Sequence, residues 1–175
     1  MKKRWAVLGL SFALFFCSVA GAFGKSVSIQ IIQNHPGQEK VWMTSYLFEQ
    51  CITDYFFENG QIVSSSPVWI NSSEDKNKGA LRASLKENLD GGMEYLVRVE
   101  LIYKPAKQDS NPDAFLLENI QKVQWKTYNV RTGLEVANGS AMPDSVTSQN
   151  NNEAGLADLA GFAAYKINSG LKNLK

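Results

Sequence analysis

Apolar and polar residues alternate in steps of two over residues 27–33, VSIQIIQ. The run is rich in branched side chains and predicts a first strand. NHPGQ, residues 34–38, breaks it, with Pro36 suited to the first turn of a helix. The period then changes. Over residues 39–60 Val41, Phe48, Ile52 and Tyr55 fall near one helical face, and Leu47, Cys51 and Phe56 widen it. That width predicts a helix buried over much of its girth, stopped by Asn59-Gly60. Residues 61–70, QIVSSSPVWI, return to extended structure with Pro67 at a break or an edge. NSSEDKNKG, residues 71–79, reads as a polar loop. In residues 80–92 Leu81, Leu85 and Leu89 are spaced by four and share one helical face, and Gly91-Gly92 ends the helix.

The clearest strand covers residues 93–103. Tyr95, Val97, Val99, Leu101 and Tyr103 point one way, while Leu96 and Ile102 flank Arg98 and Glu100 on the other. A long connection with Pro105 and Pro112 follows. Val123 and Trp125 then alternate with Gln124 and Lys126, Gly133 suits a turn position of positive φ, and residues 134–142 return as the partner strand. After a polar loop, Asn150 and Glu153 have the spacing of a capping box. Leu156, Leu159, Ala160, Ala163, Ile167, Gly170, Leu171 and Leu174 then form one helical stripe. The order β-α-β-α-β-β-β-α predicts an α/β (α+β mixed) fold. Its single mixed sheet should carry an antiparallel meander from residue 93 onward and be flanked by three helices.

The first 22 residues stand apart. Lys2, Lys3 and Arg4 precede an uncharged apolar run, and Ala20-Gly21-Ala22 follows it, the layout of a secretory signal peptide cut after Ala22. Cys17 follows Phe16, where lipidation needs a small residue, so a lipoprotein is not expected. Cleavage takes the chain from 175 to 153 residues, leaving residues 23–175 as a single globular domain. The leader removes three of 18 basic residues and none of 17 acidic ones, so the remainder carries a net charge of −2. That balance argues against nucleic acid or an anionic membrane surface as partner. A periplasmic location is expected, with no membrane span once the leader is gone. Cys51 then remains alone, cannot form an internal disulfide, and reads as a buried thiol.

Candidate chemistry is sparse. His35 is the sole histidine and sits in a loop, where helping to begin the first helix is its simplest role. The chain has no glycine-rich phosphate loop and no Cys/His cluster. No catalytic residue, cofactor or metal is assigned, and the protein is expected to be non-enzymatic; a hydrolase working without histidine is the remaining enzymatic reading. Asp109, Asn111 and Asp113 have the alternate spacing of calcium-loop ligands, but Ala114 and Ile120 stand where such a loop needs glycine and glutamate. Phe115, Leu116 and Leu117 follow a polar run, and Trp69 and Ile70 precede one. These five are the candidates for partner contact if exposed; buried, they belong to the strands. Trp42, Tyr46, Phe48, Tyr55, Phe56 and Phe57 motivate a second reading, a binding module holding a small apolar ligand or peptide between sheet and helix.

Three phrases carry a family resemblance. YLFEQCITDYFFENGQIV resembles the first helix, glycine turn and strand of a group of bacterial envelope domains. LKENLDGGMEYLVRVELI resembles their helix, small-residue turn and central strand, and VQWKTYNVRTGLEVANG their late hairpin. The group includes the curli secretion channel protein CsgG, the penicillin-binding-protein activator LpoB and the middle domain of the flagellar protein FlgT, with the amino-terminal domain of TolB a looser relative. The chain departs from them in having no lipid-attachment cysteine of the right context and no added transmembrane hairpin. The resemblance implies a partner-binding or assembly role, an adaptor or assembly factor. The expected partner is another cell-envelope protein, and a homo-oligomer is the other assembly open to the chain.

Overall fold

The computed structural model of the protein describes residues 24–35, 37, 39–105 and 111–174. The leader, Cys17, Pro36 and Asp109 lie outside the described residues. The elements are β1 (Ser26–Asn34), α1 (Met43–Glu58), β2 (Ile62–Ile70), α2 (Glu74–Asp90), β3 (Tyr95–Tyr103), β4 (Ile120–Asn129), β5 (Glu135–Ala141) and α3 (Glu153–Lys172). They build one mixed five-stranded sheet in the order β2-β1-β3-β4-β5. β1 lies parallel to both β2 and β3, and β3, β4 and β5 form the antiparallel meander the sequence predicts.

The strand order places the helices. The chain moves outward from β1 to β2, then back across β1 to β3. Right-handed crossovers in opposite directions put their helices on opposite faces. Accordingly α1, joined by α3, covers one face and α2 the other. The alternation in β3 feeds both. Tyr95, Val97, Val99, Leu101 and Tyr103 meet Phe48, Ile52 and Phe56 of α1 and the small-residue stripe of α3 in the main core. Leu96 joins Tyr128 and Val130 in a minor cluster under Leu81 and Leu85 of α2. Lys25, just before β1, reaches the far end of α3, its Nζ donating to the carbonyls of Leu171 at 2.6 Å and Leu174 at 2.8 Å. A cation there satisfies the open end of the helix and its dipole.

Four helix features differ from the sequence reading. α2 begins at Glu74, inside the segment read as a loop. Its first turn holds no apolar residue, so it has no apolar periodicity; Glu74 and Asp75 favour the positive helix end, and a Lys78–Glu74 contact of 2.6 Å spans one turn. Leu89 is exposed, and the side of α2 that is fully buried carries Ser84 and Asn88. The cap of α3 is Asn152, whose side chain accepts from Gly155 N–H at 3.2 Å; Asn150 instead accepts from Thr147 N–H at 2.7 Å within the preceding loop. α1 starts at Met43, four residues after the helical pattern begins at residue 39.

Gly133 does take the expected left-handed conformation, with φ +67°, closing the β4–β5 turn while Asn129 accepts from Thr132 N–H at 3.0 Å. Gly133→Val is expected to cost about 1–2 kcal/mol, because a Cβ resists that conformation. An unchanged denaturation midpoint would contradict this.

Candidate functional site

The aromatic side chains of α1 divide between core and surface. Phe48, Ile52 and Phe56 have no exposed surface, and Trp42 is buried beside them; Tyr55 is half-buried, and Tyr46 and Phe57 face water. The ring of His35 meets that of Trp42 edge-on at 4.8 Å, and Trp42 meets Tyr103 at 4.7 Å. Cys51 is half-buried, and burial, with Asp54 adding to it, pushes its thiol above the ordinary value, so it stays protonated.

The other sequence candidates divide. Leu117 is buried in the main core, Phe115 is half-buried and packs against that core, and Leu116 is half-buried. Trp69 and Ile70 are half-buried at the end of β2, where Trp69 Nε1 donates to Asn77 Oδ1 at 3.1 Å. Asn111 and Asp113 are engaged locally: Asn111 Oδ1 accepts from Asp113 N–H at 3.1 Å, and Asp113 accepts from Met43 N–H at 2.9 Å while pairing with Lys40 at 3.1 Å. Asp113 thus places a carboxylate at the start of α1, where the helix dipole favours it. Among the described residues no group of three or more His, Cys, Asp or Glu could hold a metal ion.

A feature the sequence candidates omit lies along α3 and β5. The inward stripe of α3 is buried, but Phe162 and Tyr165 project from its outer side, 49% and 53% exposed. Lys166 Nζ lies over both rings, at 5.3 Å and 5.8 Å from their centres. Phe162 also lines a cleft of about 210 Å³ with Leu117, Met142, Asp144 and Asp158. Met142, directly after β5, is 66% exposed. β5 ends the sheet and pairs only with β4 among the described residues, so one side of its backbone offers unpaired hydrogen-bonding groups. The opposite edge, β2, carries Pro67, which has no N–H to offer. A free edge beside an apolar cleft with two aspartates can take an extended segment bearing an apolar side chain next to a basic one. The sequence held a signal for this: two aromatics three residues apart on the polar side of a helix whose core stripe is complete without them.

No helix among the described residues is long and apolar enough to cross a membrane. Residues 26–171 match a family model described as "Uncharacterised protein", and the chain belongs to that family. No curated protein matches it in sequence. Among solved structures it is similar to a PelC variant from Paraburkholderia phytofirmans, a dodecamer, with 14% identity over 86% of this chain and 90% of that one and a TM-score of 0.48. It is similar to TolB from Acinetobacter baumannii, with 14% identity, 87% of this chain and 30% of that one, and a TM-score of 0.44. The C-terminal domain of LpoB from Salmonella enterica gives 11% identity, 70% and 84% coverage, and a TM-score of 0.36. TolB and LpoB are thus structural neighbours as well as bearers of the sequence resemblance, whereas the likeness to CsgG and FlgT rests on the sequence phrases.

Proposed function

We propose that this family member is an exported, non-enzymatic protein of the bacterial cell envelope that works by binding another envelope protein. The observation that carries the reading is the pair of exposed apolar side chains, Met142 and Phe162, that meet at one cleft where β5, with its unpaired edge, ends. Large apolar side chains left in water beside an open sheet edge cost solubility, and a partner that covers them removes that cost. The leader-like opening of the sequence supports export to the periplasm.

The double variant Met142→Ser/Phe162→Ser tests it. Both side chains are half or more exposed, so its melting temperature should stay close to that of the parent. Recovery of the partner from native envelope extract should fall by roughly tenfold or more, the scale of a lost interface anchor. Equal recovery by parent and variant would contradict the assignment of the surface. Recovery of no discrete protein by either would contradict the function.

A further inference from the structure

On the face opposite α1 and α3, α2 covers only part of the sheet, and a groove of about 350 Å³ remains over β3, β4 and β5. Its lining includes three cations, Arg98, Lys122 and Lys126, the last paired with Glu135 at 3.2 Å, and one carboxylate, Glu100. The geometry points to this groove as a binding site for a small, sugar-sized molecule bearing an oxyanion, a carboxylate or a phosphate, anchored by the Arg98 guanidinium. The site lies on the other face from the β5 edge and stands independently of the partner surface above.

The argument starts from where Arg98 sits. It belongs to the central strand, and its Nε donates to Gln30 Oε1 at 2.9 Å. Gln30 is itself buried and is held by a bond of 3.0 Å from its Nε2 to Ser84 Oγ on α2. The guanidinium is therefore fixed in orientation before any ligand arrives, which lowers the ordering cost of binding. A half-buried guanidinium ordinarily finds a carboxylate, and Glu100 stands two residues away on the same face. Here that partner is diverted. Asn34 Nδ2 donates to Glu100 Oε1 at 2.7 Å and Gln124 Nε2 to Glu100 Oε2 at 2.6 Å, and Arg98 makes no ion pair with any described residue.

The two terminal nitrogens of Arg98 are left without a bond to any described residue, while both oxygens of Glu100 accept from amides. Burial also pushes the guanidinium below its ordinary value, the sign of a charge taken from water without a counter-charge to match; Tyr128 and Glu100 oppose that shift. A fork of N–H groups in that position fits two oxygens of one oxyanion. Lys122 adds a second charge, and Asn138 and Ser140 offer groups for hydroxyls. The volume lies at the lower end of the range of small-molecule sites.

Titration of the full mature chain with glucuronate, glucose 6-phosphate and neutral glucose, followed by amide NMR shifts, tests this. Either acid should saturate shifts in β3 and β4 while glucose does not. Saturation by glucuronate alone identifies a carboxylate ligand, and by the phosphate alone a phosphate ligand. Arg98→Met should weaken the bound acid by about tenfold or more. Thermal unfolding checks that this variant folds; if it does not, Lys122→Gln carries the comparison, with a smaller loss expected. Failure of both acids to saturate, or equal affinity in the folded variant, overturns the proposal.

Discussion

Gln33→Leu is expected to lower the unfolding free energy by about 2–4 kcal/mol, because it removes three bonds at once and leaves the buried Trp42 N–H without its acceptor. Gln33 is fully buried at the end of β1. Its Oε1 accepts from Trp42 N–H at 2.7 Å and from Ser45 Oγ at 2.9 Å, and its Nε2 donates to the Lys40 carbonyl at 2.9 Å. Since the Ser45 proton goes to Gln33, the 3.3 Å contact between Ser45 and Tyr103 is a bond donated by the phenol. Burial pushes that phenol up to about 12, so it keeps its proton. One amide from a strand therefore ties down the entry to α1, in place of a side chain at the helix cap, where Trp42 makes no such bond. A total stability of about 5–15 kcal/mol cannot absorb much of this loss. Gln121→Leu, on an exposed position of β4, should shift stability by less than about 0.5 kcal/mol. Urea unfolding of the pair checks both, and equal midpoints would contradict the role given to Gln33.

Two glycines on α3 should respond with opposite signs. A Cβ at Gly155 would overlap the backbone carbonyl of Asn150. That loop cannot easily yield, because Asn150 accepts from Thr147 N–H at 2.7 Å and donates to the Ser145 carbonyl at 2.8 Å. Gly155→Ala is expected to cost about 2–3 kcal/mol, at the upper end of overpacking effects. A Cβ at Gly161 meets nothing within 4 Å, and the residue lies inside the helix. Gly161→Ala should therefore add about 0.5–1 kcal/mol. Thermal unfolding of both variants reads the signs, and two changes of the same sign would contradict the close approach at Gly155. Gly155 also lines the cleft that holds Met142 and Phe162, so the clash bears on the shape of the partner surface.

How much was legible follows from the range of the interactions. β3 could be read because its alternation serves two different faces, apolar over α1 and α3 and partly polar toward α2. The α3 stripe could be read because repeating contacts with α1 and the sheet along the whole helix set it. The start of α2 could not, since helix stability there comes from charge placement on an exposed turn. The capping box at Asn150 failed because two nearby asparagines compete, and loop geometry gives the cap to Asn152. Leu89 misled because the sheet beneath α2 is partly polar, with Gln30 bonded to Ser84, so Ser84 and Asn88 are turned inward. The Gln33 and Lys25 tethers join residues across a loop or far apart in sequence, which local periodicity does not register. The surface along β5 depends on strand order, because only an end strand has an open edge.

The central claim, that this protein acts by offering the α3 and β5 surface to a neighbour, is tested most directly by photo-crosslinking in intact cells. A photoreactive residue replaces Phe162 in one strain and Arg82, exposed on α2, in another. The account expects a discrete protein adduct from position 162 and none from position 82. No adduct at 162, with the protein folded and present in the envelope, would contradict it.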